Sequence, residues 1–149
     1  MDLSKNFIIR SIEKSDFHKQ YLELLQHLTI VNPSEISKPM FDHFIDNLND
    51  QHIIYVIEDI NVKIIVGTIT LLVENKFIHN MSKVGHVEDI VVHPDYRGKH
   101  LGKFLLDTVI KMVNKLNCYK IILDCADENK LFYEKCGFNH KGNQMSLYF

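Results

Sequence analysis

Residues 97–103, Arg-Gly-Lys-His-Leu-Gly-Lys, set Gly98 and Gly102 among the basic side chains of Arg97, Lys99, His100 and Lys103. Upstream lies the apolar run Ile90-Val91-Val92. Downstream, Leu101, Phe104, Leu105, Val109, Met112, Val113 and Leu116 recur at helical spacing. A glycine-bearing loop that opens a helix directs several backbone N–H groups at one point, where the helix dipole also favours negative charge. The chemistry this suggests is binding of a phosphate or pyrophosphate, with a solvated basic helix start as the plainer alternative. Glu88 and Asp89 stand just before the apolar run. Neighbours in a regular strand point to opposite faces, so the two form a carboxylate pair only if a bulge separates them. Asp124 closes a second apolar run, Ile121-Ile122-Leu123, where it would serve as a general base or as the N-cap of a following helix. The nine histidines and the cysteines Cys118, Cys125 and Cys136 show no metal-like spacing, and no metal is expected. Cys125 and Cys136 lack a clear activating helix start and read as packing residues.

These groups need elements to hold them. A strand is expected over 7–10. Ser15-Asp16 then caps a helix in which Phe17, Tyr21, Leu24, Leu25 and Leu28 follow helical spacing. Asn32-Pro33-Ser34 marks a loop over 31–38, and a second helix follows over 39–48. Strands over 53–58 and 63–74 join at Asp59-Ile60-Asn61 as a hairpin. A further strand ends at Val92, because Pro94 has no N–H for a sheet ladder. The long helix runs to about Leu116, a β-rich run covers 119–125, and a short helix over 129–135 stops at Gly137. Two last strands are expected around Lys141-Gly142-Asn143. No repeat, low-complexity segment or linker divides the chain, so residues 1–149 read as a single α/β domain, an antiparallel meander followed by a strand–helix–strand unit.

That order discriminates among anion loops. A dinucleotide-binding fold puts its glycine loop after the first strand, whereas this one follows three or four strands. Neither G-x-G-x-x-G nor G-K-[ST] occurs. At 149 residues, 46% hydrophobic and 24% charged, the chain suits one core. A net charge of −2 argues against nucleic acid as a partner. No apolar run nears the roughly 20 residues that cross a bilayer. With residues 1–20 polar and already patterned, and the cysteines odd in number, a reduced cytoplasmic setting is expected and no membrane.

The loop Arg97-Gly98-Lys99-His100-Leu101-Gly102 has the form [RQ]-x-x-G-x-[GA], with histidine where the first motif glycine is usual. Around it stand Lys76-Phe77-Ile78-His79, the run from Gly85 to Ile90, the run from Cys118 to Cys125 and the run from Phe132 to Phe138. Together these resemble the GNAT superfamily of acyl-coenzyme A-dependent N-acetyltransferases, and within it the enzymes that acetylate glucosamine 6-phosphate on the way to UDP-N-acetylglucosamine. The resemblance runs from Phe7 to Met145 and is looser in the N-terminal part, where it rests on Leu28-Thr29. It implies a GNAT fold, a mixed central sheet with helices on both faces (α/β, of the α+β kind), and acetyl-CoA as co-substrate.

The resemblance also implies roles. Arg97, Gly98, Lys99, His100, Leu101, Gly102 and Lys103 would hold the coenzyme pyrophosphate; Ile90, Val91 and Val92 would offer backbone to the pantetheine arm; Asn129 would hold that arm or cap its helix. Thr29, Lys76, Phe77, Ile78, His79, Glu88, Asp89, Ile90 and Asp124 would form the sugar site, with Asp124 beside the amine as orienting group or base. Tyr133 would face the coenzyme sulfur and protonate the departing thiolate, with Phe132 beside it in the core. A homodimer is expected, with the apolar end 145–149 against the partner. Family members commonly carry a late arginine for the sugar phosphate. Here no basic residue follows Lys141, so phosphate recognition would come from Lys76, His79, Lys83 or Lys130, or be weaker. Acetylation of another small amine or a protein N-terminus, and a coenzyme-binding module without catalysis, stay open as alternatives.

Overall fold

The computed structural model describes residues 5–149. Its sheet has five strands in sequence order: β1 (Phe7–Ser11), β2 (His52–Asp59), β3 (Ile64–Asn75), β4 (Lys83–Val92) and β5 (Cys118–Ile122). The first four are antiparallel, and β5 runs parallel to β4. Parallel neighbours need a crossover, and the helix predicted after the basic loop supplies it. Three short helices, α1 (Tyr21–Leu25), α2 (Lys38–Asp46) and α3 (Ile78–Met81), precede this crossover helix, α4 (Leu101–Lys115).

The sheet is covered on both faces, as expected. Leu101, Leu105, Leu106, Val109 and Val113 of α4 are buried against Ile57, Val66, Ile69, Leu71 and Val87. On the opposite face Tyr21, Leu22 and Leu24 of α1 and Phe41 of α2 pack on Ile54, Val56, Ile65 and Val91. Adjacent residues such as Val56 and Ile57 thus enter different cores, which is why β2 and β3 read as continuous apolar runs rather than alternating ones. Gly85 sets how closely α4 sits on β4: a Cβ there would lie 2.8 Å from Val113 Cγ2.

The predicted first helix is broken. Residues Lys14–His18 form a 3-10 turn, Gln20 is left-handed (φ 61°), and only Tyr21–Leu25 is α-helical. The cause is at both ends. The Lys19 carbonyl leaves the helical ladder to accept from Ile65 N–H at 2.8 Å. Asp16, fully buried, takes the Glu13 N–H at 2.8 Å and both Nη atoms of Arg10 at 2.7 and 2.8 Å. Arg10 and Lys19 also reach Glu58, at 2.6 and 2.9 Å, so one ion cluster ties β1, the turn and β2. Burial opposes ionisation of Glu58, but these two cations hold its carboxyl below the usual range.

Two further differences lie late in the chain. The strand expected over 119–125 ends at Ile122, and α5 (Lys130–Lys135) closes at Gly137 (φ 94°), whose N–H reaches Glu134 O at 2.9 Å. No strand forms around Lys141-Gly142-Asn143, and Met145, Leu147, Tyr148 and Phe149 are exposed. A strand needs a neighbouring edge, and this segment lies beside none within the chain. Among the described residues no helix is long and apolar enough to cross a membrane.

Candidate active site

β5 accompanies β4 only at Lys83, Val84, Gly85 and His86, whereas β3 stays with β4 to Val92. β5 ends at Ile122, opposite His86, and beside the unaccompanied end of β4 lies a cleft of about 640 Å³. Ile90, Val91 and Val92 form one wall, Asn129 and Tyr133 the other, and the 97–103 loop closes one end. The unaccompanied edge of β4 offers backbone donors and acceptors to an extended, amide-bearing ligand.

The loop presents backbone N–H groups at the helix start. Helical bonding begins with Phe104 N–H to His100 O at 3.0 Å, which leaves the N–H groups of Leu101, Gly102 and Lys103 without intrahelical acceptors. His100, in the usual place of a glycine, takes a left-handed backbone (φ 61°, ψ 16°), and Gly98 has φ 77°. Gly102 fits because it lacks a Cβ: one built there would lie 3.3 Å from Phe132 Cζ and 3.9 Å from Val92 Cγ2. Of the basic side chains, Lys103 pairs with both Asp107 oxygens at 2.8 Å, and Arg97 Nε donates to Val92 O at 3.4 Å. Lys99 Nζ sits 4.5 Å from the centre of the Tyr96 ring, and Lys99 does not line the cleft.

The carboxylates gather where β4 bulges. Thr70 pairs with Glu88 and Thr68 with Val91, so Ile69 alone faces Asp89 and Ile90. Asp89 has φ 48°. This bulge is the condition under which Glu88 and Asp89 escape strict alternation. Glu88 is half-buried; burial, then the charges of Asp124 and Asp89, raise its carboxyl above the usual range, against a smaller opposing effect of His86. Asp124 therefore sits within electrostatic reach of Glu88. It is exposed, and Ala126 holds the N-cap position of the next helical turn, which removes capping as its role. Asn129 likewise makes no side-chain capping bond and faces the cleft.

Tyr133 is buried, yet lines the cleft, its ring edge-on to Phe132 (5.0 Å) and Phe138 (6.1 Å). Burial, then Cys125, Cys136 and Asp124, pushes its hydroxyl up to about 12, so it holds its proton at neutral pH. Phe132, expected in the core, is instead partly exposed on the cleft wall.

Other expected residues lie apart. Thr29 is exposed and follows Leu28, which borders the cleft. Lys76, Phe77, Ile78 and His79 occupy the turn between β3 and β4, beyond Lys83, about 17 Å from Glu88 at strand rise. His79, Asn80 and Met81 there are all left-handed; His79 stacks on Tyr119 at 4.0 Å, and Lys76 pairs with Glu74. Within one chain the turn and the cleft do not meet. Conversely, His27, Tyr96 and Glu128 line the cleft without having been singled out. Tyr96 and Glu128 immediately precede expected site residues, which was the available signal; nothing marked His27.

The acetyltransferase (GNAT) family profile matches residues 17–138. This chain belongs to that family. The GNAT match includes the basic loop, the bulge, Asp124 and Tyr133, and ends at Phe138. The chain is 41% identical to the glucosamine 6-phosphate N-acetyltransferase of Arabidopsis thaliana, over 99% of each chain. It is also 41% identical to the enzyme of that name from Candida albicans, over 97% of each. The solved Arabidopsis structure superimposes with a TM-score of 0.92 at 42% identity, covering 96% of this chain and 98% of that one. The mixed five-stranded sheet is thus the GNAT fold.

Proposed function

We propose that residues 1–149 act as a single domain that transfers the acetyl group of acetyl-CoA to the amine of D-glucosamine 6-phosphate. The products are N-acetyl-D-glucosamine 6-phosphate and CoA, in a cytoplasmic supply of UDP-N-acetylglucosamine. The observation that carries this is the cleft beside the unaccompanied end of β4, with a helix start at one end and Tyr133 on its wall. The names of relatives that match over nearly the whole chain support the same substrate.

In the ternary complex the N–H groups of Leu101, Gly102 and Lys103 hold the pyrophosphate, and the free β4 edge at Ile90, Val91 and Val92 pairs with the pantetheine amides. Asp124 holds the amine, and Glu88, whose proton affinity is raised, shares the task of accepting its proton. Nitrogen attacks the thioester carbon, the C–N bond forms, and collapse breaks the C–S bond. Tyr133 gives its proton to the leaving thiolate and is reprotonated from water. No covalent enzyme intermediate is needed.

A homodimer is part of the proposal. Phe77, Ile78 and Met81 on the turn and Met145, Leu147, Tyr148 and Phe149 on the tail are exposed apolar groups that a second copy would cover. A turn about 17 Å from its own cleft then contributes to a sugar site at the subunit boundary, with Lys76 and His79 as its cationic groups. Thiol release from acetyl-CoA tests the reading, with glucosamine 6-phosphate, glucosamine and a panel of amines as acceptors. Equal rates with glucosamine and its 6-phosphate would replace it with a broader amine acetyltransferase.

A further inference from the structure

Behind the anion loop, Tyr96 is the hub of an aromatic cluster that the roles above do not use. Its ring meets Phe7 of β1 edge-on at 6.0 Å and His93 at 5.8 Å, and His93 in turn meets His27 at 4.8 Å. Its hydroxyl faces the buried carboxylate of Asp59 at the end of β2. Asp59 is itself fixed by Asn61, through the backbone N–H at 2.9 Å and Nδ2 at 3.2 Å. Over the exposed side of this arrangement lies Lys99, its Nζ 4.5 Å from the Tyr96 ring centre and 5.9 Å from that of Phe7.

We propose that Tyr96 and Lys99 form a clasp that positions the anion loop, Lys99 acting through the Tyr96 ring and not as a phosphate ligand. An ammonium over an aromatic face is attracted by the ring quadrupole. The chain between Pro94 and Leu101 needs such a tether. It contains the left-handed Gly98 and His100, and its N–H groups converge on an anion only while those conformations are held. Fixing them beforehand removes an ordering cost from binding. Lys99 is the residue between the two left-handed positions, so anchoring it to β1 and β2 through Phe7, Tyr96 and Asp59 immobilises both sides of the loop.

The ligand in this proposal rests on the reading of the cleft as a coenzyme site; the clasp does not, and two measurements separate them. In the first, CoA binding is measured by calorimetry for the parent protein, Lys99→Ala, Tyr96→Leu, the double variant and Lys99→Arg. Each single loss should raise Kd about three- to ten-fold. The double variant should be no weaker than the weaker single, and Lys99→Arg should recover most of the affinity because a guanidinium also stacks on tyrosine. A phosphate ligand would instead give a double effect equal to the product of the singles, which would overturn the proposal. In the second, amide exchange without coenzyme should quicken at residues 98–101 in Lys99→Ala and Tyr96→Leu and stay unchanged at 110–113. Should Tyr96→Leu fail to fold, Lys99→Met, which keeps the stem and loses the charge, carries both measurements with the same expectation. Unchanged exchange at 98–101 refutes the clasp. A parent protein that binds no CoA refutes the coenzyme reading and leaves the exchange result to decide the clasp.

Discussion

Tyr133 carries the sharpest consequence at the scale of single residues. Its hydroxyl is pushed up to about 12, chiefly by burial, so it enters the reaction protonated at any pH a cell offers. Tyr133→Phe removes the proton and little else, since the ring stays between Phe132 and Phe138. It should lower kcat about 10²-fold and change the CoA Kd by less than about two-fold. Steady-state kinetics with a binding titration check this, and equal kcat in both proteins excludes the tyrosine from the chemistry. Asp124→Asn keeps the shape but loses the charge that, in the proposed mechanism, holds an ammonium. Turnover should fall about ten- to hundred-fold with coenzyme affinity nearly constant; an unaltered rate would leave Glu88 as the group that handles the amine. Asp124 stood out in the sequence because it closes an apolar run, and Tyr133 through the family resemblance. His27 was not. It reaches the cleft only because α1 stops short and its C-terminal end turns towards β4, which no local pattern announces.

At the scale of elements, the decisive feature is where one strand ends and where its neighbour bulges. The end of β5 opposite His86 leaves the cleft beside β4, and the two-against-one register at Asp89 and Ile90 releases Glu88 and Asp89 from strict alternation. The long helix, the hairpin and the basic loop were readable, since their periodicity and punctuation are strong. The bulge was only a stated condition, because nothing in Glu88-Asp89-Ile90 by itself requires a left-handed aspartate. The break at Gln20 was unreadable for a similar reason. Lys19 and Asp16 are diverted by Ile65 and Arg10, partners distant in sequence or in another element. Gly102 gives this scale its test. A valine there would drive its side chain into Phe132, whose ring already comes within 3.3 Å of a Cβ position, and would cover the free N–H groups of α4. Gly102→Val should weaken acetyl-CoA binding at least about ten-fold while the protein stays folded by circular dichroism. An unchanged Kd would mean the loop serves something else.

For the whole molecule, stability and assembly follow from charges and surfaces outside the cleft. The Arg10, Asp16, Lys19 and Glu58 cluster joins the first strand to the second. The Glu58 carboxyl is depressed from 4.5 in the folded state, so its stabilisation is complete above about pH 4.5 and disappears as pH falls through the folded value. Glu58→Gln should therefore cost about 3 kcal/mol at pH 7, leaving Arg10 and Lys19 short of a partner, and the gap from the parent should narrow in acid. Denaturant titrations at several pH values check this; a gap independent of pH contradicts it. The exposed tail, expected to form strands and found without them, is where the single chain is least complete. The proposed second copy would cover its apolar residues, and light scattering at micromolar concentration should report a dimer. The central claim, acetyl transfer to a phosphorylated amino sugar, is tested most directly by following CoA release with purified protein and acetyl-CoA. Glucosamine 6-phosphate should give turnover with kcat/KM at least about a hundred-fold above that of glucosamine, because charge at the phosphate positions the amine. Comparable kcat/KM for the two sugars, or release only with other amines, would contradict the account.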